Sequence, residues 1–342
     1  MTLYYWKKEL PFQYPFTISN GRSKTHQPTL VVALQLGNYV GFGEAPAITY
    51  YNISVEDMIA DIEKKHKFIE KFALTDDPGR YWHYLHHLIP HNPFLVSALD
   101  MACWDLFGQM KGKLLYELWD TKWENTPLTD YTIGLDTIDK MVEKMLAHPW
   151  PIYKIKVGTP DDIAIITELR KHTDATFRVD ANAVWTLEEA LIKIPLLKEL
   201  GVELVEQPLA KDNWEGMKEL YNQSVLPLFA DESCVSEHDV EKCSGYFHGI
   251  NIKLTKCSGI TPAQRMITKA RELNLKVMMG CMNETSIGSA AIANFLPQLD
   301  YVDMDGPLLQ TEDLAKGLIY DAGKVSIQGK AGLGIVATFL EG

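Results

Sequence analysis

From residue 128 onward, short apolar runs alternate with amphipathic stretches. The apolar runs are 130–134, 152–157, 176–180, 202–206, 226–230, 249–254, 276–279 and 301–303. Each is brief and rich in β-branched residues, as a strand buried on both faces of a parallel sheet should be. Between them, stretches such as 187–200 and 262–273 carry helical periodicity, with Gly201 and Asn274 as C-terminal stops. Thr132, Lys156, Asp180, Glu206, Asp231, Lys256, Cys281 and Asp305 follow one another at intervals of 24, 24, 26, 25, 25, 25 and 24, each at or just after a predicted strand end. A strand–helix unit of this length run eight times predicts a closed α/β barrel, with these residues gathered at its C-terminal face. An open doubly wound sheet would share the alternation but would not bring all eight strand ends around one point.

Residues 1–117 follow a different pattern. Early strands over 3–6, 29–36 and 39–43 precede helices over 55–72 and 94–109, which predicts a separate α+β domain. The barrel is expected over 118–316. The segment 317–342, with a strand pair and Gly332-Leu-Gly334, is expected to return to the first domain.

Composition narrows the partners. The 342 residues are 46% hydrophobic, enough for a large core. A net charge of −12 argues against nucleic acid or an anionic membrane surface. No apolar run is long enough to span a bilayer, and the N-terminus lacks a basic-then-apolar leader pattern. The five cysteines are scattered, without metal-ligand or CxxC spacing, so reduced thiols in a cytoplasm are expected. Assembly into a homo-oligomer is left open by the sequence.

The chemistry lies in the ladder of strand ends. Asp180, Glu206 and Asp231 are carboxylates on successive strands, and together they would repel unless a hard cation joined them. Single acids at loop starts are usually solvated or salt-bridged; three in phase with the repeat point to Mg²⁺. Lys154 and Lys156 lie two apart on one strand and so face the same way. Lys256 follows the sixth strand, across the barrel from them. Lysines on opposite sides of a metal could flank one carbon as general acid and base, although either could instead only neutralise the acids.

These residues carry a resemblance. The segments Tyr153-Lys-Ile-Lys-Val-Gly158, Val179-Asp-Ala-Asn182, Val205-Glu-Gln-Pro208, Ala230-Asp-Glu-Ser233 and Asn251-Ile-Lys-Leu-Thr-Lys-Cys-Ser-Gly259 resemble, in order, motifs of the muconate-lactonizing subgroup of the enolase superfamily. Gly43-Glu-Ala-Pro46, residues 98–108 and Gly280-Cys-Met-Asn-Glu-Thr285 resemble its capping and seventh-strand signatures, with Ser258 departing from a common glycine. The resemblance implies an α+β cap over a modified (β/α)7β TIM-type barrel. It places Mg²⁺ on Asp180, Glu206 and Asp231, makes Lys156 and Lys256 the acid/base pair, and has Lys154 steady the substrate carboxylate. The mechanism it implies is proton transfer through an enediolate.

Asp303-Met-Asp305 resembles the Asp-x-Asp motif of dipeptide epimerases, in which paired carboxylates receive a free ammonium. Thr132, Cys281 and Met282 are expected to line the same substrate site. In the cap, 48–52 offers aromatic walls, while Arg22 and Lys24 suit an acidic side chain. The expected activity is therefore epimerisation of the C-terminal residue of L-Ala-D/L-Glu, a murein-type dipeptide. Lys156 would serve the L face and Lys256 the D face. N-acylamino-acid racemase, o-succinylbenzoate synthase and cycloisomerase substrates have no ammonium for Asp303 and Asp305. A catalytically dead metal-binding barrel would be marked by loss of a key lysine, and a Schiff-base aldolase would not need the acidic triad.

Overall fold

A computed structural model describes residues 1–17 and 23–340. Eight parallel strands form one sheet in sequential order: β4 (Tyr131–Ile133), β5 (Ile152–Lys156), β6 (Thr176–Asp180), β7 (Val202–Glu206), β8 (Leu228–Ala230), β9 (Gly249–Ile252), β10 (Lys276–Gly280) and β11 (Tyr301–Asp303). The barrel closes where Thr129, just ahead of β4, bridges Val302 of β11, and the Thr129 hydroxyl accepts from Met304 N at 2.9 Å. Helical connections join each strand to the next, whereas β11 is followed only by the short helix Gly306–Leu309. This is the (β/α)7β plan.

Alternation along the strands sorts the side chains. On β5, Tyr153 points outward, where its hydroxyl donates to His148 O at 2.8 Å, while Lys154 and Lys156 point to the barrel axis. Outward-facing residues such as Ile155, Val179 and Ile252 pack with the helices in one large buried cluster.

The cap is an antiparallel meander of β1 (Thr2–Thr17), β2 (Ser23–Leu36) and β3 (Tyr39–Pro46), covered by α1 (Val55–Lys71), α2 (Gly79–Leu88) and α3 (Pro93–Lys111). Local signals set the limits of α3: the Asn92 side chain accepts from Leu95 N, Pro93 opens the first turn, and Gly112 closes it at φ 62°. β3 packs directly on the α3 backbone. A Cβ on Gly43 would stand 1.9 Å from Ala98 O, which ties the glycine of one cap motif to the alanine of the other.

β1 runs well past the 3–6 read from sequence: the charged run Lys7-Lys8-Glu9 and then Pro11 and Pro15 interrupt the pattern without ending the strand. Within the cap sheet β1 pairs only with β2, and its register shifts between Pro11 and Phe16, where Phe12 bridges Gln310. At the other end of the chain, Leu318–Asp321 pairs with Lys324–Ile327. Leu333 N donates to Asp105 of α3 at 2.8 Å, and Phe339 packs edge-on against Trp6 at 5.2 Å.

Candidate active site at the barrel mouth

The strand ends surround a cavity of about 160 Å³ roofed by the cap. On its floor, Asp231 is the lining member of a carboxylate triad. Asp180, Glu206 and Asp231 end β6 and β7 and follow β8, are all buried, and offer oxygens that lie within 4.8 Å of one another. An all-carboxylate set suits a hard divalent cation, and its buried charges fit that role.

The lysines meet this floor from two sides. Lys156 Nζ donates to Asp180 Oδ2 at 2.6 Å. Lys154 Nζ lies 2.8 Å from Glu206, 3.2 Å from Asp180 and 2.7 Å from Asp303, so it joins the triad to the eighth strand. Burial alone would lower the Lys154 pKa, but Asp303, Glu206 and Asp180 outweigh it and hold the ammonium well above its usual range. Among the acids, burial works against Lys156 and Lys154 at Asp180, and the lysines bring it down to about 2. At Glu206, burial and the neighbouring Asp180 raise the pKa to about 7.

The sixth-strand lysine differs from the one read from the spacing. Lys256 does not line the cavity; its side chain is 1% exposed and lies behind Asp231, donating to Asp231 Oδ1 at 2.5 Å, Asp231 O at 2.6 Å and Cys234 O at 3.1 Å. Lys253 lines the cavity instead, with Nζ 2.7 Å from Asp231 Oδ2. The reason is local. β9 stops at Ile252 and the chain turns into the short helix Leu254–Cys257, so the regular interval of about 25 residues overshoots the strand end. Asn251 faces inward, donating to Glu206 Oε1 at 2.8 Å, and Lys253 is the next residue on that face. Asn251 and Lys253 at spacing two were the available sequence signal. Gly280 leaves room for the Lys253 stem, whose Cε would be 3.1 Å from a Cβ there.

Asp303 and Asp305 both line the cavity and are buried. Asp303 Oδ2 is engaged by Lys154, whereas Asp305 Oδ2 accepts from Thr132 N at 2.6 Å. Burial and then Asp303 raise the Asp305 pKa to about 7. Thr132, Cys281 and Met282 also line the cavity. The cap contributes Ile48, Tyr50, Tyr51 and Lys24; burial lowers the Lys24 pKa, and no described carboxylate pairs with it. Arg22 lies outside the described residues. Among the cavity residues not singled out in the sequence are Asn182, which follows the Asp180 strand, and Glu232, raised to about 8 by burial and then by Asp231 and Asp180.

Comparison with known proteins agrees with this geometry. Residues 137–338 match the family model described as "Enolase C-terminal domain-like". An L-Ala-D/L-amino acid epimerase of Flavobacterium johnsoniae is 51% identical over 95% of this chain and 96% of its own. The substrate-liganded L-Ala-D/L-Glu epimerase of Bacillus subtilis superposes with a TM-score of 0.92 at 30% identity, covering 98% of both chains. A dipeptide epimerase of Cytophaga hutchinsonii complexed with Mg and the dipeptide D-Ala-L-Val gives a TM-score of 0.91 at 26% identity, over 98% of this chain and 95% of that one. The chain belongs to the enolase superfamily, among its dipeptide epimerases.

Proposed function

We propose that this protein inverts the Cα of the C-terminal residue of a dipeptide by Mg²⁺-dependent two-base proton transfer, with L-Ala-D/L-Glu as substrate. The observation that carries this reading is the convergence on one cavity of Lys156 and Lys253 from opposite sides of the barrel, above an acidic triad and beside the Asp303–Asp305 pair.

Asp180, Glu206 and Asp231 would hold the cation. Bound there, Mg²⁺ would supply positive charge opposite the substrate carboxylate, lowering the cost of the negative charge left when the Cα proton departs. The protein's own groups do the rest. Lys156 takes or returns the proton on the L face and Lys253 on the D face, their positions fixed by β5 and β9, which are four strands apart in the eight-strand sheet. Asp305, with Asp303 beside it, receives the dipeptide ammonium, which sets the distance from the N-terminus to the reacting carbon. Lys154 sits between the ammonium site and the triad, within reach of the substrate carboxylate.

The preference for an acidic C-terminal side chain rests on Lys24, a partly buried cation facing the cavity without a described carboxylate partner. A panel of free dipeptides and N-acylated amino acids, followed by chiral chromatography, tests the assignment. Ala-Glu is expected to turn over best. If Ala-Ala or Ala-Phe is faster, the acidic preference is wrong; if N-acylated amino acids exceed every free dipeptide, the epimerase assignment fails.

A further inference from the structure

The three ligand-bearing loops meet at one residue with a neutral side chain. Gln207 follows Glu206 directly, is fully buried, and holds φ +34°, a backbone conformation that costs energy for a residue with a side chain. Its carboxamide is fully engaged. Oε1 accepts from Asp231 N and Ser233 N, both at 3.0 Å, while Nε2 donates to Leu209 O at 2.8 Å and Ser233 Oγ at 2.9 Å. Its backbone reaches the remaining loop: Gln207 O accepts from Ala183 N at 2.8 Å, and Gln207 N donates to Phe229 O at 2.8 Å. Asn182 and Ala183, shortly after Asp180 in sequence, also lie at positive φ, 44° and 65°.

Strained backbone at two of the three strand ends therefore closes on hydrogen bonds to one residue. We infer that Gln207 is a positioning residue for the cation site, tying the loops of Asp180, Glu206 and Asp231 so that their carboxylates converge. The inference rests on the reading of that triad as the Mg²⁺ site. A glutamine suits the task because it supplies two acceptor and two donor directions without adding charge among the acids. An aliphatic side chain of similar size would fill the volume but leave Asp231 N and Ser233 N without their acceptor. The loop would then relax, and the Asp231 oxygen would move from the point that the other two carboxylates share. Partners of this kind, one step removed from a metal, typically change affinity by about 10–100-fold.

The test is calorimetric titration of Mg²⁺ into chelator-treated protein, without substrate, for the unmodified chain, Gln207→Leu and Gln207→Asn. Gln207→Leu is expected to bind Mg²⁺ at least about tenfold more weakly, with proton exchange from the L and D epimers reduced equally and largely restored by excess Mg²⁺. Gln207→Asn keeps the amide but is one methylene short of Asp231 N, and it should weaken binding by roughly threefold or more, which preserves the test if the leucine variant does not fold. A variant that loses thermal stability while binding Mg²⁺ as tightly as the unmodified chain would show a merely structural glutamine and overturn the inference. Absence of Mg²⁺ binding in the unmodified chain would instead remove the metal reading on which it stands.

Discussion

Replacing Lys253 by methionine separates the cavity lysine from Lys256 behind it. Methionine keeps the stem that passes Gly280 and removes only the ammonium, while Lys256 continues to donate to Asp231 Oδ1 and to the Asp231 carbonyl. The triad thus keeps its rear support, and the loss falls on proton transfer. A positioned acid or base contributes about 10²–10⁴-fold, roughly 3–5 kcal/mol of barrier. Epimerisation needs both lysines and should fall by that factor. Proton exchange needs only one. In D₂O, followed by ¹H NMR on each pure epimer, Lys253→Met should lose Cα exchange from Ala-D-Glu by at least about 100-fold and keep that from Ala-L-Glu within about tenfold. Lys156→Met should show the reverse. Lys256→Met should show no difference between faces. Equal loss on both faces in the Lys253 and Lys156 variants would refute the two-base geometry, and a D-face loss confined to Lys256→Met would return the base to that residue.

Three further outcomes follow from the same contacts. N-acetylation of Ala-Glu removes the ammonium that Asp303 and Asp305 receive; a buried charge-assisted contact is worth about 2–5 kcal/mol, so kcat/KM should drop about 30-fold or more, and unchanged kcat/KM would exclude that site. Lys24→Gln should raise KM for Ala-Glu and leave Ala-Ala nearly untouched, measured as paired Michaelis curves; equal changes for both would remove Lys24 as the side-chain reader. Stability should depend on pH through Glu44, which burial raises to about 7 despite hydrogen bonds from Thr285, Gly288 and Thr29. Because its folded pKa lies above its unfolded value, the folded state binds the extra proton between about pH 4 and 7, and stability falls as pH rises through that window, by at most about 1.4 kcal/mol per pH unit. Urea unfolding from pH 5 to 8 should show a flatter slope in Glu44→Gln, and an unchanged slope would count against this group.

The barrel was legible because each parallel strand is buried on both faces and each unit has nearly the same length. That regularity also misled: it selected Lys256, since a short helix replaces the end of β9 and carries the chain away from the axis. The inward alternation of Asn251 and Lys253 is a local signal that the longer period hid. β1 continues past the charged run Lys7-Lys8-Glu9 and past its prolines, which an edge strand tolerates. Helix α2 went unread because its buried Tyr81, Trp82 and Leu85 sit among histidines, and its contacts lie far away: Trp82 Nε1 donates to Ser258 O at 2.9 Å, 176 residues along the chain. Glu44 meets Thr285 across 241 residues, a pairing no local pattern encodes. The regular strand ends were readable as positions, Lys253 excepted, and the contacts between cap and barrel were not.

The proposed mechanism turns on a metal-dependent proton exchange at one carbon, the Cα of the second residue. Incubating L-Ala-L-Glu with the chelator-treated protein in D₂O, before and after adding Mg²⁺, measures this by mass spectrometry and NMR. This mechanism puts one deuteron at the glutamate Cα and none at the alanine Cα, and produces L-Ala-D-Glu, all only with Mg²⁺ present. Label that enters without the metal, enters the alanine, or does not enter at all would contradict it.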